Sequence, residues 1–97
     1  MKKKIENIFL KKKILIYGLG KSGISSFRFL RNKADIYLFD DLKNIHPKQI
    51  SKLKLLKIKF DIIIISPGIN IFNCQLSKFL KINKKNIYTD LDVFFTF

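Results

Sequence analysis

Cysteine is almost missing from this sequence. Cys74 is the only one, so no internal disulfide can form, which suits a reducing compartment. His46 is likewise the only histidine. One cysteine and one histidine without paired ligand spacing cannot build a metal cluster, and no metal site is expected. Cys74 is expected in packing and His46 in a loop. Long apolar runs are missing too: nothing approaches the ~18 residues a bilayer-crossing helix needs. The opening MKKKIENIFLKKKILIYG has short apolar runs broken by lysines, unlike a signal peptide. No membrane partner and a cytoplasmic location are therefore expected. Acids and arginines are scarce: seven acids and two arginines in a chain of net charge +13. Arginine is the residue that phosphate and base readout usually prefers. The lysines are scattered between apolar residues instead, and Lys, Ile, Phe and Asn, all with A/T-rich codons, make up 52 of 97 residues. The charge reads as a solvated basic surface, with no nucleic acid as partner. Finally, no nucleophile stands beside a base, and no G-x-x-x-x-G-K-[ST] occurs. No catalytic residue is assigned, and the chain is expected to bind rather than react.

What is present is one small domain with a modest core. Ile14 to Tyr17 is a run of large apolar residues ending in glycine, the pattern of a strand buried on both faces. Ser22 can cap the next segment, where Ile24, Phe27 and Leu30 fall at helical spacing, giving a helix over Ser22 to Asn32. Ile36 to Phe39 is a second buried strand, closed by Asp40 and Asp41. Strand, glycine turn, helix, strand and acid make a βαβ unit. Asp41 to Phe60 is less regular: Pro47 can open a helix through Ile50 and Leu53, and Leu55 to Phe60 alternates partly, like a weak edge strand. Ile62 to Ile65 is a third buried strand, stopped by Pro67-Gly68. A helix follows over roughly Asn73 to Lys81, then a short strand in NIYTD. LDVFFTF begins a last helix, which would leave Val93, Phe94, Phe95 and Phe97 exposed as half an interface. The fold class is α/β: a Rossmann-like open parallel sheet of four to five strands with helices on both faces. Ligands of such sheets bind at the carboxyl ends of the strands, near the switch point in strand order.

Three features fall at that edge. The first is GLGKSG, Gly18 to Gly23, which fits G-x-G-x-x-G between a strand and a helix. Gly18 permits the tight turn, Gly20 lets a ligand approach the backbone, and Gly23 lets helix and strand pack closely. Lys21 and Ser22 can add a charge and a hydroxyl at the helix start, where free N–H groups favour anions. The plainer alternative is a glycine turn kept for packing. Asp40 follows Gly18 by 22 positions, where dinucleotide folds place the acid that binds a ribose hydroxyl. A carboxylate here can equally accept from a uracil N–H, or simply be solvated. Ser66-Pro67-Gly68 is a turn after a central strand that can present N–H groups to the cleft, or be no more than a turn. A stand-alone NAD- or nucleotide-binding regulatory domain would share the glycine loop and the acid.

KILIYGLGKSGISSFRFL, FDD, DIIIISPGI and IYTDLDVFF occur in order from about Lys12 to Phe97. Together they resemble the N-terminal domain of the Mur ligases of peptidoglycan synthesis, nearest the D-glutamate-adding members. SPGI followed about 20 residues later by TDLDVFF is the specific part of the match. The resemblance implies that residues 1–97 bind the UDP part of UDP-N-acetylmuramoyl-L-alanine, rather than NAD. Gly20, Lys21, Ser22 and Gly23 would approach the diphosphate, and Asp40 and Asp41 the uracil or ribose. Ser66, Pro67 and Gly68 would close over the uridine. It also implies a parent that is an ATP-dependent ligase using Mg2+. A central ATPase domain and a C-terminal domain would be supplied in cis or by another chain. No cofactor is expected in these 97 residues.

Overall fold

The computed structural model describes residues 11–42, 45–70 and 72–89. Four strands form the sheet: β1 (Lys13–Tyr17), β2 (Asp35–Phe39), β3 (Ile62–Ile65) and β4 (Ile87–Thr89). All pair in parallel, in the order β2-β1-β3-β4. β1 and β3 are the inner strands. The four residues Ile14 to Tyr17 and the four of β3 are all buried, as strands covered on both faces must be. Ile14 pairs with Ile36 on one side and Ile62 on the other, and Tyr17 lies level with Phe39 and Ile65.

Three helices connect the strands: α1 (Lys21–Leu30), α2 (Lys52–Leu56) and α3 (Ser77–Ile82). The period of two along β1 separates two cores. Ile14 and Ile16 face α1, packing with Leu30, Leu38, Ile62 and Ile64. Leu15 and Tyr17 face the other way, with Phe39, Leu55 of α2, Phe60, Ile63, Ile65, Leu76 and Leu80 of α3. The sheet is thus covered on both faces, as expected for a Rossmann-like fold. The chain leaves β2 on one side of β1 and returns to β3 on the other, so the switch point lies between β1 and β3.

Several sequence expectations need correcting. Ser22 does not cap α1; Gly20 holds the N-cap position and Ser22 lies inside the first turn. α1 stops at Leu30, two residues early, where Lys33 and Ala34 N–H groups bond back to the Leu30 carbonyl. Pro47 lies in a turn. The helix there begins after Ser51, whose hydroxyl accepts from the Lys54 N–H at 3.2 Å and so satisfies a first-turn donor. Leu55 to Phe60 is no strand: it is the end of α2 and a loop, both ends buried in one core. α3 starts at Ser77 rather than Asn73, after turns. The helix expected from LDVFFTF, with Asp92, Val93, Phe94, Phe95 and Phe97, lies outside the described residues. Among the described residues, no helix is long and apolar enough to cross a membrane.

Candidate functional site at the switch point

The loop after β1 is fixed at every turn. Gly18 sits at φ +97°, in the left-handed region that glycine alone enters without strain. Its N–H bonds the Phe39 carbonyl at 2.9 Å, and its carbonyl accepts from Ser66 Oγ at 3.0 Å. The next N–H, of Leu19, donates to Asp40 Oδ2 at 2.7 Å. A Cβ on Gly18 would stand 2.8 Å from Ser66 Oγ, and one on Gly23 only 1.8 Å from the Gly18 carbonyl oxygen. The ends of β1, β2 and β3 are therefore tied together through this loop.

The other two glycines behave differently. A Cβ on Gly20 or Gly68 would meet nothing within 4 Å, and both residues are exposed. Gly20 leads straight into α1, which has no side-chain cap and no acid in its first turn. Among the described residues, the N–H groups of Lys21, Ser22 and Gly23 have no acceptor. Lys21, exposed at the positive end of the helix dipole, adds repulsion that an anion would remove. Pro67 and Gly68 form the facing rim. Their turn is closed by the Ile69 N–H bonding the Ser66 carbonyl at 3.1 Å.

The two aspartates divide their work. Asp40 braces the backbone: Oδ2 takes the Leu19 N–H and Oδ1 the Leu42 N–H at 2.9 Å. Asp41 takes the Tyr17 hydroxyl on Oδ1, and among the described residues no donor reaches its Oδ2. Tyr17 is fully buried, and burial first, then Asp41 and Cys74, push its phenol well above the usual range. Around neutral pH it keeps its proton and donates to Asp41. Beside these acids opens a cleft of about 650 Å³ lined by Phe39, Asp41, His46, Gln49, Lys52 and Gln75, among others.

The structure thus brings Gly18, Asp40 and Ser66 into one bonded frame, with Gly23 packed against the Gly18 carbonyl, and leaves Gly20, Lys21, Pro67 and Gly68 at its open rim. No group of three potential metal ligands occurs among the described residues. The sequence reading missed Tyr17, Gln49 and Gln75. Tyr17 read only as strand core, and nothing local marks either glutamine.

No family model matches the chain. It is 34% identical over 98 aligned residues, 92% of its length, to a UDP-N-acetylmuramoylalanine–D-glutamate ligase of Rickettsia conorii. A ligase of the same name from Lachnoclostridium phytofermentans is 36% identical over 63% of the chain. The chain fits an N-terminal stretch of a Mur ligase. It spans 19% and 17% of the length of these two curated relatives. The crystal structure of UDP-D-quinovosamine 4-dehydrogenase from Vibrio fischeri superposes with a TM-score of 0.52 at 22% identity, over 81% of this chain and 75% of that one. That likeness confirms the Rossmann-type fold. The Mur-ligase match runs through both the glycine loop and the turn after β3, the two segments that face each other across the switch point.

Proposed function

We propose that this domain holds the UDP part of UDP-N-acetylmuramoyl-L-alanine for an ATP-dependent, D-glutamate-adding Mur ligase. The observation that carries the reading is the uncapped start of α1, with its free N–H groups and Lys21 behind an unobstructed Gly20. The diphosphate would lie there. The uridine would lie between the Pro67-Gly68 rim and Asp41, whose Oδ2, with no donor among the described residues, suits a uracil N–H or a ribose hydroxyl. Asp40 and Ser66 would act by holding the loop rather than by touching the ligand. The names of the relatives support ligase chemistry for the complete protein.

ATP and Mg2+ would be bound by the ligase's other domains, in cis or from another chain, since this sequence has no P-loop. Its own contribution would be remote binding energy, fixing a nucleotide handle so that the distant carboxylate is correctly placed for reaction. A titration of the 97-residue chain, followed by amide NMR, tests this. UDP and UDP-N-acetylmuramoyl-L-alanine should shift Gly20 to Gly23, Asp41 and Gly68. NADH shifting the glycine loop while the UDP ligands do not would make it a nicotinamide-type domain instead. Asp41→Asn keeps an acceptor for Tyr17 but turns a donor outward. UDP affinity should fall by about tenfold with the thermal midpoint unchanged, the loss of one charge-assisted bond. Unchanged affinity would remove Asp41 from the ligand.

A further inference from the structure

The loop that carries the acids is held by two side chains that neither motif nor resemblance singles out. Three successive carbonyls, of Asp40, Asp41 and Leu42, each receive an N–H from a glutamine amide. Gln49 Nε2 donates to the Asp40 carbonyl at 3.1 Å and to the Leu42 carbonyl at 2.8 Å. Gln49 Oε1 accepts from the Ile45 N–H at 3.2 Å. Gln75 Nε2 donates to the Asp41 carbonyl at 2.9 Å. Chemistry forces the orientation of Gln49: a flipped amide would set its oxygen against two carbonyls and its NH2 against an N–H.

Both glutamines stand on firm supports. Gln49 forms a parallel bridge with Leu38 of β2, and the following N–H, of Ile50, bonds the Leu38 carbonyl at 2.8 Å. Gln75 precedes Leu76, which is buried in the core under α3. Gln49 therefore fastens the acid loop to the β2 side and Gln75 to the segment after β3. Both line the 650 Å³ cleft.

We infer that Gln49 and Gln75 are positioning residues for nucleotide binding. Each glutamine N–H fixes the direction of a loop carbonyl, so the Asp41 carboxylate is held in place to face a ligand. Residues 40–42, which would otherwise sample more conformations, are set before the ligand arrives, and the ordering cost of binding falls. The inference rests on the UDP reading.

The test uses the 97-residue chain with UDP as the probe. Gln49→Leu and Gln75→Leu remove the amide without adding charge, and Gln49→Glu removes the donor while adding a negative one. Dissociation constants, thermal midpoints and the free-state amide shifts of Leu19 and Leu42 are measured for each. Leu19 and Leu42 report because both donate to Asp40. Gln49→Leu should weaken UDP by about tenfold, equivalent to about 1.4 kcal/mol, and Gln75→Leu by about threefold. The reporter amides should shift before any ligand is added. Should Gln49→Leu not fold, Gln75→Leu, at an exposed site with one bond, carries the test by itself. If wild type binds UDP and the Leu variants match it within twofold, the inference is overturned and the UDP reading stands. Weakening by Gln49→Glu alone would be charge repulsion and overturns it equally. A wild-type chain that ignores UDP overturns the reading and the inference together.

Discussion

Gly23→Ala should lower the thermal midpoint of the chain by more than ~15 °C. The new methyl would sit 1.8 Å from the Gly18 carbonyl oxygen, far inside contact distance. Relief needs either the loop or the helix to move. The loop cannot move freely: Gly18 is held by Phe39 on its N–H and by Ser66 on its carbonyl, and Leu19 by Asp40. The helix cannot withdraw without opening the core around Leu30 and Ile24. Overpacking a well-filled site costs ~1–3 kcal/mol, and a clash with pinned backbone belongs at or above the top of that range. A domain of this size has roughly 5–15 kcal/mol in all, and each kcal/mol moves the midpoint by about 4–8 °C. Circular dichroism on heating reads the effect. A midpoint within about 3 °C of wild type would show that the helix start is softer than its bonds imply.

Gly20→Val should do the reverse: leave the fold alone and remove the ligand. Gly20 lies at φ −75°, ψ −165°, extended backbone that any residue adopts, and its Cβ position is empty for 4 Å around. That empty space is where a phosphate would approach the N–H groups of Lys21, Ser22 and Gly23. A branched side chain there would keep the anion away from all three. UDP affinity should drop by about a hundredfold, roughly 2.8 kcal/mol, with the midpoint within about 3 °C of wild type. Wild-type affinity in Gly20→Val would place the phosphate elsewhere and take the helix start out of the proposal. Two glycines three residues apart thus answer different questions, one about packing and one about access.

The inner strands were legible because their burial is simple. Ile14 to Tyr17 and Ile62 to Ile65 are covered on both faces, so each is an unbroken apolar run with a glycine or proline stop. The turn at Gly18 and the close packing at Gly23 followed from the same pattern. Residues 41 to 60 were not legible. α2 has five residues and buries only Leu55, while Leu53 and Leu56 are 75% and 51% exposed. Such a helix has no apolar stripe to read; Ser51 was its only local sign. Pro47 suggested a helix start because proline suits that position, but the chain uses it in a turn. At the site, Asp40 was correctly placed beside the glycine loop, yet its bonds to Leu19 and Leu42 depend on a register between strands that no single segment encodes. Gln49 and Gln75 are legible only in three dimensions, since their partners are backbone carbonyls up to 34 residues away.

Tyr17 sets an alkaline limit on the whole arrangement. A tyrosine in an unfolded chain ionises near pH ~10. In the fold its proton is held by burial, then by the contacts with Asp41 and Cys74, so ionisation is pushed upward. A group whose folded pKa is raised contributes its full stability below the unfolded value, and that stability drains as pH climbs past ~10. Phenolate absorbance from Tyr17 should therefore appear together with the loss of helical signal. Early phenolate from Tyr17 in a still-folded chain would contradict this. The hydroxyl that steadies Asp41 is also the point at which base would unfasten the strand ends, releasing the glycine loop and the acid loop in one step.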